Sequence, residues 1–311
     1  MKIPSILCLL VAGLIMAQNL SGKEPCSLQN TSFNAGEKIR YQVYYNIGFI
    51  WIAAGVCDFE AKMTTWTAKT TTPKTGPVTG KNSLVTEKNS PATGNNSPAP
   101  LNSHPALHLK ATGVTHRAYD AFFTVRDTLE SYINPFNLIP YASIKYTHEG
   151  KWHGQDNFLF QPSDTSEGWN IRTQLKRKGV WRDPTFSHTK DCGFDIISSV
   201  YRMRSIPDSL LFSKQAIRIP VRLDDGQYDV TLSYKGKALI KLRRGDTHYA
   251  HYFELSLVEG TVFKRGDVLK LWLGNDPNRL PLQVESPIRV GSVKAVFERA
   301  ENLRHVQEKL N

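Results

Sequence analysis

The segment LWLGNDPNRLPLQV, Leu271 to Val284, places Asp276 between Trp272 and Arg279. It is one of three carboxylates whose neighbours suit acid–base chemistry. Asp120 is the second, in RAYDAFFTVRD, between Tyr119 and the aromatic pair Phe122 and Phe123. Aromatic surroundings raise a carboxyl pKa, as a general acid requires. Glu149 is the third, in THEGKW beside Trp152. Two such carboxyls roughly 5 to 9 Å apart are the equipment of a glycosidase. Each also has a plainer reading. Asp276-Pro277 suits a turn, because proline presets φ and Asn275 and Asp276 can bond their own backbone. Asp120 can pair with Arg117 or Arg126, and Glu149 can end a hairpin. Glu37, after Gly36 in AGEKIRY, reads as strand entry before it reads as a site acid.

Nine histidines raise the question of a metal. His248 and His251 are three apart, which points them to opposite faces of a strand. His148 and His153 flank a hairpin and can meet across it. No H-E-x-x-H, G-x-S-x-G or phosphate-cradling glycine loop occurs, and no metal or cofactor is expected. Tyr41, Tyr45, Trp51, Phe123 and Trp272 are the candidate walls of an apolar binding groove, with ordinary core as their plainer role.

Those side chains need strands to hold them. Tyr41, Val43 and Tyr45 alternate with Arg40, Gln42 and Tyr44, the pattern of a half-buried strand. Asn46 to Gly48 makes a turn, and the extended pattern resumes from Ile50 to Phe59. The composition then changes. From about Thr64 to Ala106 the chain is rich in Thr, Pro, Asn and Ser. Such a stretch cannot bury enough apolar surface to offset ordering and is expected to be a disordered insertion. Strand signals return at Leu107 and recur to the C-terminus, broken once by DCGFDIISSVYRMRSIP, Asp191 to Pro207. There Phe194, Ile197, Val200, Tyr201 and Met203 recur at helical spacing. Asp191 can cap the start, Arg202 and Arg204 suit the last turn, and Pro207 closes the segment. The expected fold is mainly β, a curved antiparallel sheet or open β-barrel-like meander packed around one α-helix.

The N-terminus reads Lys2, an apolar run from Ile3 to Ala17, then polar residues. That is the pattern of a secretory signal peptide, here residues 1–22, and it is short for a spanning helix. Neither Cys8 nor Cys26 has a lipoprotein context. The expected location is the periplasm or the outer membrane surface, with one β-rich domain over 23–311. Past the leader three cysteines remain, Cys26, Cys57 and Cys192, and three cannot all pair. Cys57 reads as a buried thiol. A Cys26–Cys192 bridge is conceivable, and spacing does not select it. The chain is 311 residues long, 22% charged, with net charge +11. The charges are scattered, and the densest cluster, LKRKGVWR (Leu175 to Arg182), reads as a hairpin. Nucleic-acid motifs are absent, and that class of partner is excluded.

Several stretches, taken in order, resemble an exported bacterial family known as domain of unknown function 3108. They are FNAGEKIRY (Phe33–Tyr41), WIAAG (Trp51–Gly55), AYDAFFTVRD (Ala118–Asp127), FDIISSVYRMR (Phe194–Arg204), VFKRGD and LPLQVESPIRVGSVKA (Leu280–Ala295). The resemblance implies a Gram-negative envelope protein with an open-barrel-like β fold, and it carries over no catalytic residue. The expected function is a non-enzymatic ligand-binding or envelope-assembly module. Its partner would be a lipid, a glycan or an envelope protein, and peripheral membrane association suits its basic charge. The alternative is a hydrolase of envelope polysaccharide using paired carboxylates, Asp120 and Glu149 or Asp276.

Overall fold

Alternating burial sets the architecture. In β2 (Lys38–Ile47), Ile39, Tyr41 and Val43 turn inward while Lys38, Arg40 and Gln42 turn away. The same two-residue period runs through β5 (Arg126–Ile133), where Asp127, Leu129, Ser131 and Ile133 are buried. The computed structural model describes residues 22–23, 26–67, 103–119, 124–163, 167–224, 226–256, 268–288 and 290–307. The leader run, Asp120, Phe123 and residues 68–102 lie outside the described residues. Of the stretch expected to be a disordered insertion from Thr64 to Ala106, Thr64–Thr67 and Ser103–Ala106 are instead paired as strand.

The remaining strands are β1 (Gly22–Lys23), β3 (Ile50–Thr67), β4 (Ser103–Thr115), β6 (Pro140–Glu149), β7 (Trp152–Pro162), β8 (Trp169–Arg177), β9 (Val180–Trp181) and β10 (Thr185–Thr189). After two helices come β11 (Ile217–Leu223), β12 (Gly226–Lys241), β13 (Thr247–Ser256), β14 (Val268–Gly274), β15 (Pro281–Pro287) and β16 (Ser292–Glu301). They form one large open sheet in the order β1-β11-β12-β13-β14-β15-β16-β2-β3-β4-β5-β6-β7-β8-β10, with β9 paired to β8. Every pairing is antiparallel except β1 with β11. The first long hairpin, β2–β3, therefore lies mid-sheet between the last strand, β16, and β4.

The sheet curls without closing its hydrogen-bond ladder, and side chains bridge the gap. Asp224, in the β11–β12 turn, receives Lys145 Nζ of β6 at 3.1 Å and Arg177 of β8 at 3.5 Å. Asp156, 1% exposed, is held between Lys145 at 2.8 Å and Arg177. Charges this deep persist because they are paired.

The helix is shorter than its sequence suggests. It spans Ile196–Met203 (α1), and Asp195 is its N-cap, accepting from the Ile197 and Ser198 amides in a capping box with Ser198. Asp191 does not cap it, because residues 192–194 are held extended. Cys192 is bonded to Cys26, Cα to Cα 5.4 Å, and Phe194 bridges Val221 of β11 in parallel. Asp191 pairs with Arg218 instead, at 2.6 Å. Pro207 does not end all helical structure either. It stands at the start of a one-turn helix, Asp208–Leu211 (α2), where a missing N–H costs nothing. With a 3-10 turn at Arg117–Tyr119, the expected single helix becomes two and a turn among the described residues. α1 packs on β4, β5 and β11 and is buried on all sides but that of Val200, so it acts as a plug. No helix among the described residues is long and apolar enough to cross a membrane.

Candidate functional site

The end of α1 organises the interior. Arg204, its C-cap, and Glu37, just ahead of β2, are both essentially unexposed. The guanidinium meets both carboxylate oxygens, at 2.7 and 2.8 Å. Its Nε donates to the Asn278 carbonyl at 2.9 Å and its Nη2 to that of Ser32 at 3.3 Å. Rings of Phe33 and Tyr201 flank it at 5.4 and 5.3 Å. Burial alone would lower the guanidinium pKa; the Glu37 charge reverses that and holds it above the usual value. One cation thus ties the N-terminal segment, α1 and the β14–β15 turn together.

Beside this pair, between α1 and the inner face of β2, β3 and β11–β16, is a cavity of about 70 Å³ of solvent-sized space. Tyr41, Phe59, Tyr201, Met203, Leu271 and Val284 are among its walls, which are carbon almost throughout. Such a space holds water poorly, because a buried water needs two to four polar partners. The Tyr201 hydroxyl is buried with no hydrogen-bond partner among the described residues. Burial pushes its pKa well above the ordinary tyrosine value. Cys57 also lines the cavity, and burial pushes its thiol well up. Thiolate is the reactive form. Cys57 is therefore expected to resist iodoacetamide in the folded protein and to be labelled fully in denaturant, as read by intact mass.

The residues singled out from sequence separate. Tyr41 is a cavity wall; Tyr45, Trp51 and Trp272 are not. Tyr45 donates to the Val290 carbonyl at 2.9 Å, and Trp272 packs on Tyr252 with ring centroids 5.1 Å apart. Phe123 and Asp120 lie outside the described residues. Asp276 is 4% exposed, and its Oδ1 accepts from the backbone and side-chain amides of Asn278, both at 2.9 Å. Glu149 ends β6 and bridges Val125. Neither carboxylate borders the cavity. His148 and His153 do meet, ring centroids 4.1 Å apart, yet no group of three metal-ligating side chains assembles among the described residues. Sequence reading passed over Glu37–Arg204 as a pair. The nearest signal was two arginines at the end of an otherwise apolar helix.

A family model described as a protein of unknown function, DUF3108, matches residues 95–298, well over half of the chain. The chain belongs to the DUF3108 family. The matched part of this DUF3108 protein contains α1 and all strands from β4 to β15, while β2 and β3, which carry Tyr41 and Cys57, precede it. No curated protein matches. A crystal structure of a beta-barrel-like protein of domain of unknown function DUF1849, from Brucella abortus, aligns with 88% of this chain and 99% of its own, at 6% identity and a TM-score of 0.47.

Proposed function

We propose that this DUF3108 protein is a non-catalytic, exported binder of a single-chain apolar ligand, held between α1 and the inner face of the sheet. One observation carries the reading: the cavity wall is nearly all carbon and includes no carboxylate. An empty apolar space of this size costs about 1.5–2 kcal/mol of stability, at roughly 24 cal/mol per Å³. Hydrocarbon recovers that cost, at about 0.8 kcal/mol for each buried methylene. The volume is small beside the roughly 300–1,000 Å³ of pockets for compact ligands, so it takes only a short stretch of a thin, unbranched chain. Tyr201 supplies the polar contact. A ligand carbonyl or carboxylate accepting from its hydroxyl gives that buried donor the partner it lacks. The Cys26–Cys192 bridge supports export, since structural disulfides persist in oxidising compartments. The hydrolase alternative gains nothing from Asp276, whose carboxylate is engaged by Asn278.

Native mass spectrometry of the purified protein is expected to show an acyl-chain adduct, and the delipidated protein should take up cis-parinaric acid. Ala295→Leu, which fills the cavity, should raise the unfolding midpoint and abolish uptake. Tyr201→Phe should weaken uptake roughly two- to tenfold, the worth of one hydrogen bond, without destabilising the empty protein. A wild-type protein with neither adduct nor uptake would sink the proposal.

A further inference from the structure

The β2–β3 turn holds carbon out in water. Gly48 has φ +56°, as the first position of a tight two-residue hairpin turn requires. Asn46 Nδ2 braces the turn by donating to the carbonyls of Gly48 and Ile50, 3.0 Å each. The braced tip presents Phe49, 93% exposed, between Ile47 and Ile50, 42% and 51% exposed. Val290 of the adjacent β15–β16 turn is 60% exposed, and Tyr45 holds its carbonyl. Turn positions ordinarily take Gly, Asn, Asp or Ser. A cluster of exposed apolar side chains instead marks a contact surface.

Aromatic rings and cations back the tip. Trp51 is two residues behind Phe49, about 7 Å along the strand. Lys294 Nζ lies 4.4 Å from the Trp51 ring centroid, and the Arg243 guanidinium 5.1 Å from it. Tyr44 meets Trp51 edge-on at 5.5 Å. Arg243 is exposed, and no carboxylate pairs with it among the described residues.

We propose that this tip docks on an anionic lipid bilayer. Phe49, Ile47, Ile50 and Val290 enter the acyl boundary, Trp51 and Tyr44 lie at headgroup depth, and Arg243 faces lipid phosphates, while Lys294 stays paired with Glu285 at 3.2 Å behind Trp51. Polarity along the hairpin rises in the order in which a bilayer interface changes, over the roughly 5–10 Å that interfacial segments bury. Basic side chains at that depth are drawn to anionic leaflets, and the chain carries net charge +11. The proposal is independent of what the cavity holds.

The test uses the purified protein with phosphatidylcholine vesicles, with and without phosphatidylglycerol. Flotation measures binding, and deuterium uptake across residues 44–53 reports contact at the tip. Binding to the anionic vesicles with slowed uptake in that segment is expected. Phe49→Ser should lower partition about tenfold, equivalent to about 1.4 kcal/mol, with the unfolding midpoint unchanged. Arg243→Gln should weaken binding and reduce its salt dependence. Unchanged deuterium uptake at the tip, or undiminished tip protection in Phe49→Ser, overturns the proposal. Equal binding to phosphatidylcholine alone overturns the claim for anionic lipid.

Discussion

Glu37→Ala lowers the unfolding free energy by about 3–5 kcal/mol, the usual cost of stranding one partner of a buried ion pair. Arg204→Ala falls in the same range. Both groups are essentially unexposed and meet through two charge-assisted bonds, which are roughly twice as strong as neutral ones. Loss of Glu37 leaves a guanidinium among Phe33, Tyr201 and the cavity wall with only the carbonyls of Asn278 and Ser32. The midpoint of thermal unfolding should drop by on the order of 10 °C. The double variant Glu37→Leu with Arg204→Met, which removes both charges while keeping volume, should recover most of the loss. Urea unfolding of the four proteins checks this. A double variant as unstable as the sum of the singles would show that the backbone bonds of Arg204, and not its charge, matter.

The second large effect is that of the disulfide. Cys26 and Cys192 are 166 residues apart, and closing a loop of that length removes about 5 kcal/mol of chain entropy from the unfolded state, while measured bridges give about 2–4 kcal/mol. The Cys26→Ser, Cys192→Ser double variant should lose stability in that range, and reductant should bring the wild type to the same urea midpoint. Reductant without effect on the wild type would mean the bridge is not formed. The local consequence is distinct: with residues 192–194 released, the Asp195 cap loses its fixed approach, and the α1 amides should exchange faster than those of β13.

Some of this was legible in the residues. The alternation of Ile39, Tyr41 and Val43 marked a strand, and Ile197, Tyr201 and Met203 at helical spacing marked the plug, because apolar side chains gathered on one face of an element leave a periodic trace. Asp276 beside Pro277 marked a turn through its own backbone bonds. Other features leave no such trace. Arg204 meets Glu37 across 167 positions. A basic residue near a helix end has an adequate local explanation in the helix dipole, so nothing nearby announces its burial. The pairing of β2 with β16 is equally silent, since strand alternation fixes which face is buried but not which strand lies alongside. Tyr201 read as core, which it is; the missing partner of its buried hydroxyl, on which the proposed ligand contact rests, leaves no mark in the sequence. The exposed Phe49 was hidden in an apolar run whose turn falls at Gly48.

The mid-sheet position of β2 bears on the order of events at the ribosome. Asn46 and its partner Ser292 are 246 residues apart, and the chain emerges from its N-terminus onward at about 5–20 residues per second. The first hairpin therefore waits for the final strand with one edge open, and an open strand edge is a template for wrong pairing. Such long-range closure slows folding. A nascent chain halted before Ser292 should stay protease-sensitive and bound to holdase chaperones, and a polypeptide threaded outward through a membrane would meet its last strand only on the far side.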